Sequence, residues 1–396
     1  MEFRLSDEEE AFQAAVRRFG DRVLRPNEAE IDSTGSIPTK VLAGMADLGL
    51  LAMPVPEAYG GMGASAVLTE LAAEEIGRGD SSMATAVFFL LEAGWGLLLA
   101  RRGTEEARGE ILPSVCAGKA FLGIATTETT GGSDLASMHT TSRRDGHEFV
   151  VHGEKAFISG VEEAKALGGG HLTLTKEAGG GYNFLYVPTR IDGIATQRFH
   201  NMGRMGISTG GLTYQDARVP EKYLLGTEGK GFEYAMEGFT VARTFVAAAC
   251  VGAAERALET GLAYIRERPA FGQPLGKFEG IQFELVDLWT QVEAVKWQCR
   301  RAAWLLDTYT LRGDTSHRSE VDRAVASVKL TAPPLAFECV KRVMMWHGAA
   351  GYTTEVGLER GLRGIMSYLV GAEGGLNIMR IILGRELLGR DFLPYK

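Results

Sequence analysis

Few side chains in this sequence carry the spacing that catalysis needs. HExxH, a Walker loop and a GxGxxG placed between a strand and a helix are absent. Gly229-Lys230-Gly231 lacks the upstream spacing and the Ser or Thr of a phosphate loop. The 7 histidines are scattered, so each alone reads as a surface or hydrogen-bonded structural residue rather than a ligand or base. Cys116, Cys250, Cys299 and Cys339 form no CxxC pair, which argues against zinc, iron–sulfur and disulfides and for a reducing cytoplasm. One segment stands apart: Ala125-Thr126-Thr127-Glu128-Thr129-Thr130-Gly131-Gly132-Ser133-Asp134, leading to Lys155-Ala156-Phe157-Ile158-Ser159-Gly160. Hydroxyls at Thr127 and Ser159 could bond a heteroaromatic edge, the Gly131-Gly132-Ser133 turn could bring N–H groups to a pyrophosphate, and Phe157 could cover a ring face. Those are the requirements of a flavin, although a strand, a glycine turn and a second strand account for the same string without any ligand.

These residues need elements to position them. Ser6-Asp7-Glu8-Glu9 is a capping box, and apolar residues recur at helical spacing through Leu24. Further helical patterns follow Pro38, run from Ala66 to Gly77, and run from Ser81 to Arg101. From Phe121 short alternating stretches at 148–152, 171–175 and 184–188 predict strands, with Gly168 to Gly170 and Gly179 to Gly181 as bounding loops. After Gly231 long helical periodicity returns over 232–268, 278–312 and 319–346, with a broken pair over 355–389 and Gly or Pro expected only at the junctions. The expected organisation is an N-terminal all-α domain over 1–119, a middle β-domain (barrel or sandwich) over 120–231 and a C-terminal four-helix bundle over 232–396.

Composition narrows the class. The 396 residues are 45% hydrophobic and 23% charged, the balance of a soluble globular chain with more than one core. Lys+Arg 42 against Asp+Glu 50 gives a net charge of -8 with no basic cluster, so a small or acyl-type ligand is expected rather than nucleic acid. The acidic N-terminus does not read as an export signal. Ser82 to Ala100 is long enough to span a membrane, but Glu92 near its middle makes a buried helix the better reading. A lone carboxylate in that apolar run must be hydrogen-bonded, protonated or open to a pocket.

The helical, β, helical order carries four landmarks that resemble the acyl-CoA dehydrogenase family. Pro56-Glu57-Ala58-Tyr59-Gly60-Gly61-Met62-Gly63 resembles its N-domain turn, and Thr127-Glu128 with Gly132-Ser133-Asp134 resembles its Thr-Glu…Gly-Ser-Asp loop. Arg268-Pro269-Ala270-Phe271-Gly272-Gln273-Pro274-Leu275 resembles Arg-x-x-Phe-Gly-x-x-Leu, and His347-Gly348-Ala349-Ala350-Gly351-Tyr352 resembles Gly-Gly-x-Gly-Tyr. The resemblance implies FAD as cofactor. Thr127 and Ser159 would bond the flavin ring, Phe157 would stand for the usual Trp beside it, and Gly132-Ser133 would serve the diphosphate. Arg268, Phe271, Met345 and Gly348 would reach the FAD of a neighbouring subunit in a homotetramer. Met345 departs from the usual Gln, Ala349 from a glycine and Gly364 from the usual Asp.

The implied reaction is α,β-dehydrogenation of an acyl-CoA, with electrons passing to an electron-transferring flavoprotein. Gly371-Ala372-Glu373-Gly374-Gly375 corresponds to the family's catalytic loop with one extra residue upstream, which makes Glu373 the α-proton base and Gly374, Ser133 and Arg243 substrate contacts. In the family the helix carrying Glu92 lines the far end of the acyl pocket, so Glu92 is the alternative base for a cyclic acyl group. Glu237 is a third carboxylate, near the start of the first bundle helix. A carrier-protein thioester dehydrogenase, an acyl-CoA oxidase and a catalytically degenerate flavin-binding homologue stand as the competing functions.

Overall fold

The computed structural model describes residues 4–394. The Ser6 capping box forms, with Glu9 N donating to Ser6 Oγ at 3.2 Å and Ser6 N to Glu9 Oε2 at 2.8 Å. It starts α1 (Asp7–Phe19), which continues through a π turn at Gly20–Leu24 into α2 (Arg25–Thr34). Then follow α3 (Thr39–Asp47), α4 (Ala66–Gly79), α5 (Ala84–Arg102) and α6 (Glu105–Cys116). α5 is apolar on every side and is buried on every side from Ala84 to Ala100, as the Glu92 argument required.

The middle segment is one curled mixed sheet. Its strands are β1 (Phe121–Ala125), β2 (Thr141–Asp145), β3 (Glu148–Ser159), β4 (Gly169–Glu177), β5 (Tyr182–Pro188), β6 (Ile194–Arg198) and β7 (Thr209–Pro220), with α7 (Val161–Leu167) between β3 and β4. The order is β1-β4-β2-β3-β7-β6, with β5 paired to β4. β1 and β4 are parallel, in register Phe121 to Gly169, while β3 and β7 are antiparallel. The expected loop at Gly168 to Gly170 is corrected here, because Gly169 and Gly170 belong to β4. A Cβ on Gly169 would sit 2.0 Å from the Phe121 carbonyl oxygen, so glycine is what lets the two strands meet.

The last segment contains α8 (Gly231–Glu267), a short hairpin of β8 (Pro269–Ala270) and β9 (Gln273–Pro274), then α9 (Glu279–Thr308), α10 (Arg318–Trp346), α11 (Leu358–Val370) and α12 (Leu376–Leu388). The long helices α8, α9 and α10 pack together, with the shorter α11 and α12 against α10. Proline is not confined to junctions: Pro333 and Pro334 lie inside α10 and Pro113 inside α6. An interior proline costs about 3 kcal/mol of helix propensity, so tertiary packing of α10 against its neighbours overrides the local signal. α4 and α8 cross backbone to backbone, for a Cβ on Gly77 would lie 2.1 Å from Ala249 O and one on Gly252 1.8 Å from Glu74 O.

Candidate active site

A cavity of about 820 Å³ opens where β1, β3 and the start of β7 meet α5, α8 and the segment after α11. Thr127, Gly132, Ser133, Phe157, Ser159, Arg243, Glu373 and Gly374 all line it, although they come from four separate stretches of chain. The two loops of the Thr127 and Phe157 segments are tied by Ala156 N donating to Thr127 O at 2.9 Å. Beneath them Lys155 Nζ donates to Thr126 O and Glu128 Oε1, each at 3.0 Å, while Glu128 also accepts from His139 N and Thr140 N. Burial opposes ionising Glu128, but the Thr140 and His139 donors and the Lys155 charge hold its carboxyl at about 2. Burial brings Lys155 down to about 8, so the pair is ionised at neutral pH.

A register shift in the β3–β7 pairing between Lys155 and Ile158 turns the next side chain outward. Phe157 adopts a φ of 60° there, with 64% of its surface exposed and its ring 5.5 Å from Phe199. The Thr127 and Ser159 hydroxyls make no hydrogen bond to other described residues. Uncommitted hydroxyls on one wall, an exposed aromatic ring beside them and the small Gly132-Ser133 turn suit a flavin in size and chemistry.

Across the cavity Glu373 sits on a turn, with a φ of 59° followed by 98° at Gly374. Its carbonyl accepts from Arg243 Nε at 2.8 Å, which fixes the turn to α8. Enclosure by protein pushes its carboxyl up to about 7, against the attraction of Arg243, Lys329 and Arg204. Its N–H makes no hydrogen bond to other described residues.

Other expected residues lie elsewhere. Glu92 is fully buried outside the cavity; its Oε1 accepts from Leu122 N at 3.0 Å and its Oε2 has no partner. This corrects the pocket reading of Glu92: it anchors β1 to α5, and burial raises its pKa well above the ordinary range. Glu237 is held by Arg101 Nε at 2.9 Å and Arg102 Nη2 at 2.7 Å. Arg268, Phe271, Met345 and Gly348 do not line the cavity; Phe271 and Met345 are 97% and 70% exposed at the surface of the bundle.

Sequence reading passed over Arg204, Tyr368 and Lys329, because no motif marks them and their neighbours are far away in the chain. It also passed over Gly206-Ile207-Ser208-Thr209-Gly210, which has the GxSxG form of a nucleophile turn. Here it leads into a strand, and Ser208 Oγ donates to Glu163 and accepts from Glu162 N, so the hydroxyl fixes the start of α7.

Comparison with known proteins agrees with this geometry. Acyl-CoA dehydrogenase N-terminal, middle and C-terminal domain models match residues 6–119, 123–217 and 229–388. A probable acyl-CoA dehydrogenase of Bacillus subtilis, YngJ, is 32% identical over 98% of this chain and 100% of its own length. The cyclohex-1-ene-1-carbonyl-CoA dehydrogenase of Syntrophus aciditrophicus is 32% identical over 97% of this chain and 91% of its own. The solved acyl-CoA dehydrogenase of Geobacillus kaustophilus has a TM-score of 0.87 at 28% identity, covering 98% of this chain and 100% of that one. A match this complete, over a cavity that suits a flavin and a facing carboxyl, places the chain in the acyl-CoA dehydrogenase family, FAD-dependent oxidoreductases acting on the CH–CH group of acyl-CoA.

Proposed function

We propose that this protein dehydrogenates an acyl-CoA thioester between Cα and Cβ, with Glu373 as the base. The observation that carries the reading is Glu373 on a left-handed turn facing a cavity whose other wall holds Thr127, Phe157 and Ser159. Bound FAD supplies the acceptor for the hydride leaving Cβ. Glu373 takes the α-proton, and a carboxyl near 7 is basic enough to do so while still ionising at neutral pH. Its N–H, which makes no hydrogen bond to other described residues, donates to the thioester oxygen as enolate charge develops there, and the Arg243 bond to its carbonyl steadies the turn that carries it. Thr127 and Ser159 hold the flavin ring, Gly132 and Ser133 the diphosphate, and Ser133 and Gly374 also border the substrate.

Arg268, Phe271, Met345 and Gly348 serve the FAD of a second copy in a homotetramer, consistent with their exposure away from the cavity. Electrons then pass to an electron-transferring flavoprotein. The domain division at 119 and 231 belongs to the same reading. The test is Glu373→Gln, which keeps carboxyl shape without the basic oxygen. It should retain flavin and bind acyl-CoA, yet lose substrate-dependent bleaching of the flavin by a factor of roughly 1,000 or more. In the parent, kcat/KM should fall about tenfold per pH unit below 7, as the base becomes protonated. Bleaching by Glu373→Gln at the parent rate would overturn the assignment.

A further inference from the structure

Around Glu373 the protein carries more positive charge than its acids answer. Arg204, Arg243 and Lys329 all act on the Glu373 carboxyl, and each is at least nine-tenths buried. Lys329 is committed, since its Nζ donates to Tyr368 O at 2.8 Å. Arg243 gives Nε to Glu373 O and lies over the Phe239 ring at 5.5 Å. Arg204 has no such commitment. It lines the cavity with no carboxylate in ion-pair distance among the described residues, and its one hydrogen bond runs from Nη2 to Thr209 Oγ1 at 3.2 Å. Most of a five-donor fork is left over.

A second, independent group is orphaned beside it. Tyr368 lines the same cavity and is 1% exposed, and its buried hydroxyl has no hydrogen-bond partner among the described residues. The Arg204 guanidinium and Tyr368 phenol lie within electrostatic reach of one another. The backbone invests in this arrangement as well. Arg204 adopts a φ of 55°, which an L side chain enters at a cost, and the chain before it is pinned by Arg363 Nη1 donating to Met202 O at 2.9 Å. A buried guanidinium with no carboxylate at ion-pair distance and a buried phenol lacking a partner are both unfavourable, and one bound anion accepting from both relieves them together. The fork of an arginine matches a carboxylate in two parallel hydrogen bonds. Val87, Leu90, Leu91 and Phe239 line the same cavity and suit the methylenes between two polar ends.

We propose that Arg204 and Tyr368 form a subsite for a second carboxylate on the acyl group, so that the substrates are CoA thioesters of dicarboxylic acids rather than of plain fatty acids. The proposal rests on the acyl-CoA reading given above. Its test uses the flavin-loaded protein with chain-matched pairs: glutaryl- against pentanoyl-CoA, and adipyl- against hexanoyl-CoA. Kd is read from perturbation of flavin absorbance and KM from anaerobic dye reduction. Within a pair the carboxylated thioester should bind roughly 10- to 100-fold more tightly. Arg204→Gln should bring that ratio towards one, Arg204→Lys should restore part of it, and Tyr368→Phe should lower it by a smaller factor.

No preference in the parent, or a preference for the plain acyl chain, would overturn the proposal without needing any variant to fold. An unchanged ratio in Arg204→Gln, with a shifted flavin potential, would overturn it too by assigning the arginine to the cofactor. If no thioester bleaches the flavin, the dehydrogenation reading fails, while the binding ratio still decides the subsite.

Discussion

Glu92 and Glu373 are both held above the ordinary carboxyl range by burial, and the difference between them is what each faces. Glu373 opens on the cavity, where a proton can arrive from substrate, and three cations moderate its shift. Glu92 faces the Leu122 N–H with nothing to balance a charge. Burial therefore favours the protonated form of Glu92 in the folded protein more than in the unfolded chain. Because its folded pKa is raised, its contribution to stability is fully present below the ordinary glutamate value of 4.5 and is lost as pH rises towards the folded value. Glu92→Gln keeps an acceptor for Leu122 N and removes this loss. Its unfolding midpoint should gain on the parent as pH rises above about 5, with flavin bleaching by substrate retained. A gap that narrows with rising pH would show that Glu92 is ionised in the fold.

Among the elements, the Glu128–Lys155 pair decides whether the Thr127 loop lies on β3. Lys155 is fully buried, and Glu128 binds it together with two backbone N–H groups. Lys155→Met leaves that carboxylate buried without its cation, at a cost of about 3–5 kcal/mol. The variant should unfold at a lower temperature and retain less flavin after gel filtration, and adding Glu128→Gln should recover part of both losses. Additive losses in the double variant would mean that the two side chains do not act as a pair. The Thr127 and Ser159 segments were legible because hydroxyls, glycines and an aromatic ring occur at telling intervals, and Glu373 because its loop resembles the catalytic loop of the family. Gly169 and Gly170 were misread, since a run of glycines marks a loop unless another strand needs the space that side chains would fill. Pro333 and Pro334 were misread for a related reason: local propensity knows nothing of the helices packed against α10, which runs unbroken through both. Arg204 and Tyr368 were invisible because a missing partner is a property of three-dimensional surroundings.

For the whole molecule, the outer face of the bundle does not look like a surface meant for water. Phe283, Val286, Trp289 and Trp304 fall on one side of α9 and are 62%, 57%, 54% and 52% exposed, with Phe271 beyond the end of α8. Light scattering should give the mass of a tetramer for the parent. Trp289→Asp combined with Phe283→Asp should give smaller species that lose FAD on dilution, and Arg268→Ala should weaken FAD retention by about 1.5–3 kcal/mol while leaving the assembly intact. A parent that is monomeric and fully loaded with FAD would refute the shared site. The crossing of α4 and α8 has a different consequence, for motion. With Gly77 against Ala249 and Gly252 against Glu74, the two helices touch through their main chains, so neither can slide or rotate without carbonyls colliding. That crossing works as a weld rather than a hinge. Admission of a thioester must then be accommodated by the 371–375 turn and the loops of the sheet, and the traffic of substrate is governed by the softest wall of the cavity while the helical walls keep the cavity's dimensions constant.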